Sequence, residues 1–182
     1  MTAEEFELEF KKRKLIKKKS RRESVAAMVI GLLLGACIIY GVLGIGFVTG
    51  NSMRPSFYAG DLIFFRKCFY GELEYGDVVV IDAGSPNQVI KRIAGKAGDI
   101  IEIDEKGHLT RNGRCIEETE VQFGTVSKDG TSIEYPYSVP EGSYFYLGDN
   151  RPVSLDSRFS GAVRKEKILG KVFVMMRLSL GK

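Results

Sequence analysis

The segment Val25–Val48, VAAMVIGLLLGACIIYGVLGIGFV, runs for 24 residues without one charged side chain. As a helix rising about 1.5 Å per residue it exceeds the roughly 30 Å hydrocarbon core of a bilayer. Its last part, Gly41-Val42-Leu43-Gly44-Ile45-Gly46-Phe47-Val48, is glycine-rich and alternating, so the helix is expected to end near Leu43 and the tail to begin the first strand. Three parts follow from this reading: an N-terminal segment 1–24, a transmembrane helix 25–43 and a folded domain 44–182.

Upstream of the apolar run, residues 1–24 hold nine Lys/Arg and five Asp/Glu, while the rest of the chain carries 18 of each sign. The whole excess of +4 therefore lies before the span. By the positive-inside rule the N-terminus is expected in the cytoplasm and everything after residue 48 outside the cell membrane. A cleaved signal peptide would have a shorter apolar region and a small-x-small cleavage site, which this long run with its 24-residue polar leader does not match. A nucleic-acid-binding domain would spread Lys/Arg over its folded surface, and here the folded part is neutral, so no nucleic-acid partner is expected. Gly31 and Gly35 form one G-x-x-x-G spacing, too common in membrane helices to imply a dimer.

Downstream, short runs of β-branched and aromatic residues recur at Leu62–Phe65, Val78–Ile81, Val89–Ala94, Ile100–Ile103, Ser143–Leu147 and Val172–Met176. Turn residues separate them, among them Tyr75-Gly76-Asp77, Gly84-Ser85-Pro86-Asn87, Asp104-Glu105-Lys106-Gly107 and Lys128-Asp129-Gly130. The chain of 182 residues, 44% hydrophobic, is thus expected to form one mostly antiparallel β domain behind one membrane helix, with 96–140 as a hairpin insertion.

Cys37 falls inside the span, which leaves Cys68 and Cys115 outside, where a disulfide is chemically permitted but not specified by the sequence. No Cys or His spacing fits a zinc site, and no metal is expected. The single histidine, His108, lies beside Gly107 in an expected hairpin turn, a poor base for a Ser-His-Asp hydrolase.

Two stretches carry chemistry instead: Gly50-Asn51-Ser52-Met53-Arg54-Pro55, directly after the apolar run, and Val89-Ile90-Lys91-Arg92-Ile93-Ala94-Gly95. A serine hydroxyl is a weak nucleophile until a nearby base takes its proton. Lysine can be that base only when neutral, and lowering its pKa from about 10.4 to about 8 requires roughly 3 kcal/mol of preference for the neutral form, usually from burial. On a strand, period two sets Lys91 on the face of Val89 and Ile93 and Arg92 on the other. Arg92 cannot deprotonate, so Lys91 is the candidate base. A third stretch, Gly148-Asp149-Asn150-Arg151-Pro152-Val153-Ser154-Leu155-Asp156-Ser157-Arg158, adds a second serine. Each residue alone has a plain reading: Ser52 as a turn cap, Lys91 on a solvated edge, Asp149-Asn150 as a turn.

Taken together, S-M-x-P after a membrane span, then I-K-R, then G-D-N-R-x-x-S-x-D-S-R, the chain resembles the type I signal peptidase (leader peptidase) family, in its single-span, Gram-positive-like layout. The resemblance implies a Ser-Lys serine endopeptidase on the β fold shared with the SOS repressors. Such an enzyme uses no metal or organic cofactor and removes signal peptides from secreted preproteins at the outer face of the membrane. It assigns Ser52 as nucleophile, Lys91 as general base and Ser154 as the serine that orients the lysine. It assigns Arg92, Asp156 and Arg158 to a charge network that holds the site together. The Ser52 backbone N–H and the region of Gly50 match the oxyanion hole, where many Gram-negative relatives have a hydroxyl in place of Gly50. An Ala-x-Ala-like preference is implied at the −1 and −3 positions, with the substrate added as a strand. Met53 is expected as a pocket wall, a lipid contact or an ordinary packing residue. Two rivals remain: a soluble self-cleaving repressor, which the uncharged span argues against, and a specialised pilin processor or silent membrane-anchored scaffold.

Overall fold

The first helix, α1, runs from Ala3 to Val42, and its stretch Arg21–Val42, 22 residues, is long and apolar enough to cross a membrane. Val25, Met28, Val29, Ile30, Leu32, Leu33 and Leu34 all project outward from it, as residues facing hydrocarbon would. In the computed structural model the described residues are 3–68, 71–84, 87–104, 108–117 and 132–177, several of α1 by backbone alone. Residues 1–41 form one unit and 42–182 another, and α1 hands over to strand β1 (Leu43–Phe47) where the Gly-rich alternation begins. Glycine is required at position 44 because a Cβ there would lie 2.2 Å from the Phe65 ring.

The main sheet also contains β2 (Leu62–Arg66), β3 (Val78–Asp82), β4 (Gln88–Lys96), β9 (Ser143–Leu147), β10 (Val163–Arg164) and β11 (Ile168–Met176). A second sheet holds β5 (Ile100–Ile103), β6 (Leu109–Arg111), β7 (Arg114–Cys115) and β8 (Tyr137–Ser138). The seven-stranded sheet is ordered β1-β2-β11-β3-β4-β9-β10 and the four-stranded one β7-β6-β5-β8, with antiparallel pairing throughout. The fold is the mostly antiparallel β class that the alternating runs imply.

Four strands run longer than the alternating runs, β2 and β3 by one residue each, β4 by three and β11 by four. β11 starts at Ile168 because register shifts at Ile168/Gly170 and Val172/Val174 carry it past a glycine and a lysine that interrupt the apolar run. The short strands β6, β7, β8 and β10 carry too few residues to show a period. The separators at Ser85-Pro86, Glu105-Lys106-Gly107 and Lys128-Asp129-Gly130, and part of the 96–140 segment, lie outside the described residues.

Three apolar clusters hold the β unit. Val48, Met53, Phe57, Ile63, Phe65 and Val80 pack beneath the Ser52 loop; Leu73, Val79, Ile81, Ile93 and Ile168 fill the sheet interior. Ile101, Ile103, Leu109 and Val139 join the second sheet to Phe145 and Leu147 of β9. Met53 is 2% exposed within the first cluster, so it is a packing residue, its burial contributing about 1.5–3 kcal/mol. All three cysteines are free thiols, so Cys68 and Cys115 are not bridged. His108 is exposed and pairs with Asp104 in the turn between β5 and β6.

Candidate active site

Ser52 lies on the loop that leaves β1, and Lys91 lies at the middle of β4. Their separation in sequence closes to 2.8 Å between Lys91 Nζ and Ser52 Oγ. The direction of that hydrogen bond follows the state of the lysine: an ammonium donates, whereas a neutral amine accepts the serine proton. Lys91 is buried and Ser52 half-buried. Burial pushes the Lys91 pKa down; the nearby carboxylates of Asp156 and Asp149 push back, and Arg158 adds to the depression. Loss of solvation dominates, as a neutral lysine base requires.

The turn preceding Ser52 is set by Gly50, whose φ of +81° suits glycine. A hydroxyl-bearing residue there would be strained, which gives the glycine a local reason. Among the described residues no atom beyond its chain neighbours lies within 4 Å of where its Cβ would be, so the space beside it is open. Among the described residues the Ser52 backbone N–H has no hydrogen-bond acceptor.

The segment after β9 wraps this pair. Asn150 N–H donates to the Ser52 carbonyl at 2.9 Å and its side-chain Nδ2 to the Asn51 carbonyl at 3.1 Å, which ties the Ser52 loop down. Gly148 must be glycine, since a Cβ there would lie 2.2 Å from Ser154 Oγ and 2.6 Å from the Ser52 carbonyl oxygen. Asp149 takes a two-pronged bond from Arg92, Nε to Oδ1 at 2.8 Å and Nη2 to Oδ2 at 2.7 Å. On the other side Arg158 grips Asp156, Nε to Oδ1 at 2.8 Å and Nη2 to Oδ2 at 3.0 Å, with both residues buried. Asp156 caps the short helix α2 (Ser157–Ser160) and accepts the Gly148 N–H at 3.0 Å; Arg158 Nη2 also reaches the carbonyls of Arg151 and Ser154.

Ser52, Lys91, Ser154, Gly50, Arg92, Asp156 and Arg158 thus converge, with one difference in detail. Ser154 Oγ is buried over Gly148, beside the Ser52 backbone, but among the described residues it has no hydrogen-bond partner, so the bond to Lys91 expected from the resemblance is not formed here. The sequence reading missed three contributors. Asp149 is the partner of Arg92, Gly148 is the point of closest approach and Asn150 is the clamp on residues 51 and 52. The Gly148-Asp149-Asn150 string was visible, but it reads locally as an ordinary turn.

The family model for signal peptidase, peptidase S26, matches residues 21–177, which include every one of these side chains. The chain belongs to the signal peptidase family. Signal peptidase I of Bacillus licheniformis is 32% identical over 163 residues, 85% of this chain and 87% of that one. Signal peptidase I T of Bacillus subtilis is 33% identical over 154 residues, 79% of each chain. Signal peptidase IB of Staphylococcus aureus is 33% identical over 140 residues, 69% of this chain and 73% of its own. The crystal structure of a signal peptidase I from Enterococcus faecalis V583 matches with a TM-score of 0.46 and 29% identity, over 56% of this chain and 97% of that one. The matched segment contains the buried lysine and the serine in contact with it.

Proposed function

We propose that this chain is a membrane-anchored serine endopeptidase that removes N-terminal signal peptides from exported preproteins with a Ser52–Lys91 dyad. The observation that carries the reading is the 2.8 Å contact between Ser52 Oγ and a buried Lys91 Nζ. Neutral Lys91 takes the hydroxyl proton as Ser52 Oγ attacks the scissile carbonyl, then delivers it to the departing amine. An acyl-enzyme on Ser52 remains, and Lys91 activates the water that hydrolyses it. The free Ser52 N–H and the open backbone at Gly50 supply the oxyanion site, where one donor is worth roughly 3–4 kcal/mol. Ser154 orients Lys91 through its hydroxyl, whose burial without a partner costs about 1–3 kcal/mol that a bond to Nζ would relieve.

The substrate has an edge to join. Ile93 N–H donates to the Asp77 carbonyl and Asn87 accepts from Ala83 N–H, so the odd residues of β4 bond toward β3. The even residues face the other side, and β9 covers that side only from Arg92 onward. Among the described residues nothing bonds the outward backbone groups of Gln88 and Ile90, which are therefore open, next to Lys91, to an extended peptide. α1 anchors the enzyme, and the nine basic residues before the span support an N-terminus in the cytoplasm and a β unit outside.

The test is cleavage of a purified preprotein by the detergent-solubilised protein, beside Ser52→Ala and Lys91→Ala, with product N-termini sequenced. Cutting after an Ala-x-Ala-like site that vanishes in both variants is expected, with kcat/KM rising through an apparent pKa below about 10.4. Activity retained by either variant rejects the dyad.

A further inference from the structure

The Ser52 loop is also held by an ion pair from the residue that follows β11. Its neck is closed by Val48 N–H to the Asp61 carbonyl at 2.8 Å and Gly60 N–H to the Val48 carbonyl at 2.9 Å. The Asp61 carboxylate is 3% exposed. It accepts Tyr58 N–H at 2.8 Å and both prongs of the Arg177 guanidinium, Nε to Oδ1 at 3.1 Å and Nη2 to Oδ2 at 3.0 Å. Arg177 follows the last residue of β11 and sits over the Tyr58 ring at 4.4 Å, with Nη2 also 3.4 Å from the Ser56 carbonyl oxygen. Residue 56 is gripped a second time, by Arg92 Nη2 at 3.2 Å from its hydroxyl.

We propose that Arg177, acting through Asp61 and Ser56, is a positioning residue that fixes the Ser52 loop in reacting distance of Lys91. The proposal rests on Ser52 as nucleophile. Within the loop Arg54 N–H donates to Asn51 and Phe57 N–H to Met53, so residues 51–57 are a tight unit and a shift at 56 is passed to Ser52. Lys91 and the open edge at Gln88 and Ile90 belong to β4, which the clamp meets through Ser56 at Arg92 and not at Gln88, Ile90 or Lys91. Losing the clamp therefore moves the nucleophile against the base while leaving the substrate edge in place. A planar guanidinium satisfies both carboxylate oxygens at once, which an ammonium cannot do. Hydrogen bonds from Arg177 hold the Asp61 carboxyl below the usual carboxylate range, so the pair stays ionised at neutral pH.

The experiment measures kcat and KM for preprotein cleavage by the full chain in detergent, well below each variant's unfolding temperature. Arg177→Ala is expected to lose about 10-fold or more in kcat with KM changed less than about 3-fold, since a 1 Å displacement can cost about 100-fold. Arg177→Lys is expected to fall between Arg177→Ala and wild type, and ethylguanidinium added to Arg177→Ala is expected to restore part of the lost kcat. Lys167→Ala, which breaks the exposed pair with Asp82, serves as control with kcat unchanged. Wild-type kcat in Arg177→Ala, or a loss of kcat that only tracks the unfolded fraction and is not rescued, overturns the proposal. Ser52→Ala run alongside separates the two claims. If it cleaves, the nucleophile and the clamp fall together; if it is dead while Arg177→Ala is fully active, the clamp alone falls.

Discussion

Gly148→Ala is the smallest change that tests how the site is held. The added methyl would sit 2.6 Å from the Ser52 carbonyl oxygen, 2.6 Å from Ser154 Cβ and 2.2 Å from Ser154 Oγ. Rotating Ser154 relieves only the last contact. Restoring ordinary contact of about 3.4 Å then requires about 0.8 Å of movement in the Ser52 backbone, the Ser154 backbone or both. Overpacking of this kind costs about 1–3 kcal/mol. In a chain of this size that lowers the unfolding midpoint by roughly 2–4 °C per kcal/mol. A shift of about 1 Å between nucleophile and base costs about 100-fold in rate. The expected variant is folded, less stable by a few degrees, and roughly 100-fold slower in preprotein cleavage. Thermal unfolding and single-turnover cleavage on the same preparation measure both effects. A folded Gly148→Ala protein with kcat within about 3-fold of wild type would refute the close-approach argument.

Three further outcomes are expected. Burial depresses the folded-state pKa of Lys91, so the folded chain binds fewer protons than the unfolded one. Stability therefore falls as pH drops from about 10.4 toward the folded value. Lys91→Met, close in volume and apolar, should be inactive yet at least as stable as wild type at pH 7, its advantage shrinking as pH rises. Urea midpoints at two pH values check this, and a variant less stable at pH 7 would show that the Asp156 and Asp149 charges outweigh desolvation. Arg158→Met leaves Asp156 buried without its cation and should lose about 3–5 kcal/mol in urea unfolding; a loss below about 1 kcal/mol would show that water reaches the pair. Ser154→Ala should lower kcat by up to about 100-fold with little change in KM, and unchanged turnover would remove Ser154 from the lysine-orienting role.

Legibility differed by residue. Lys91 was readable as the candidate base because strand period and the chemistry of its neighbour Arg92 left one candidate. Ser154 was readable only from the resemblance, and the structure leaves its hydroxyl without the bond expected of it. Asp149 was invisible as a partner for Arg92 because a Gly-Asp-Asn string reads the same whether it closes a turn in solvent or an active site. Asp61 and Arg177 gave no local signal at all, since a single acid before a strand and a single arginine after one are common.

The sequence by itself determined the span, the point where helix gives way to strand, the alternating β runs and the residue types able to do the chemistry. These are properties of neighbours along the chain: hydropathy, period and side-chain pKa. Tertiary structure alone decided that residues 39 apart form the Ser52–Lys91 contact, residues 57 apart the Arg92–Asp149 pair and residues 116 apart the Arg177–Asp61 clamp. Those meetings, and the burial that depresses the Lys91 pKa, exist only once the antiparallel sheet has set its register and brought three loops to one place.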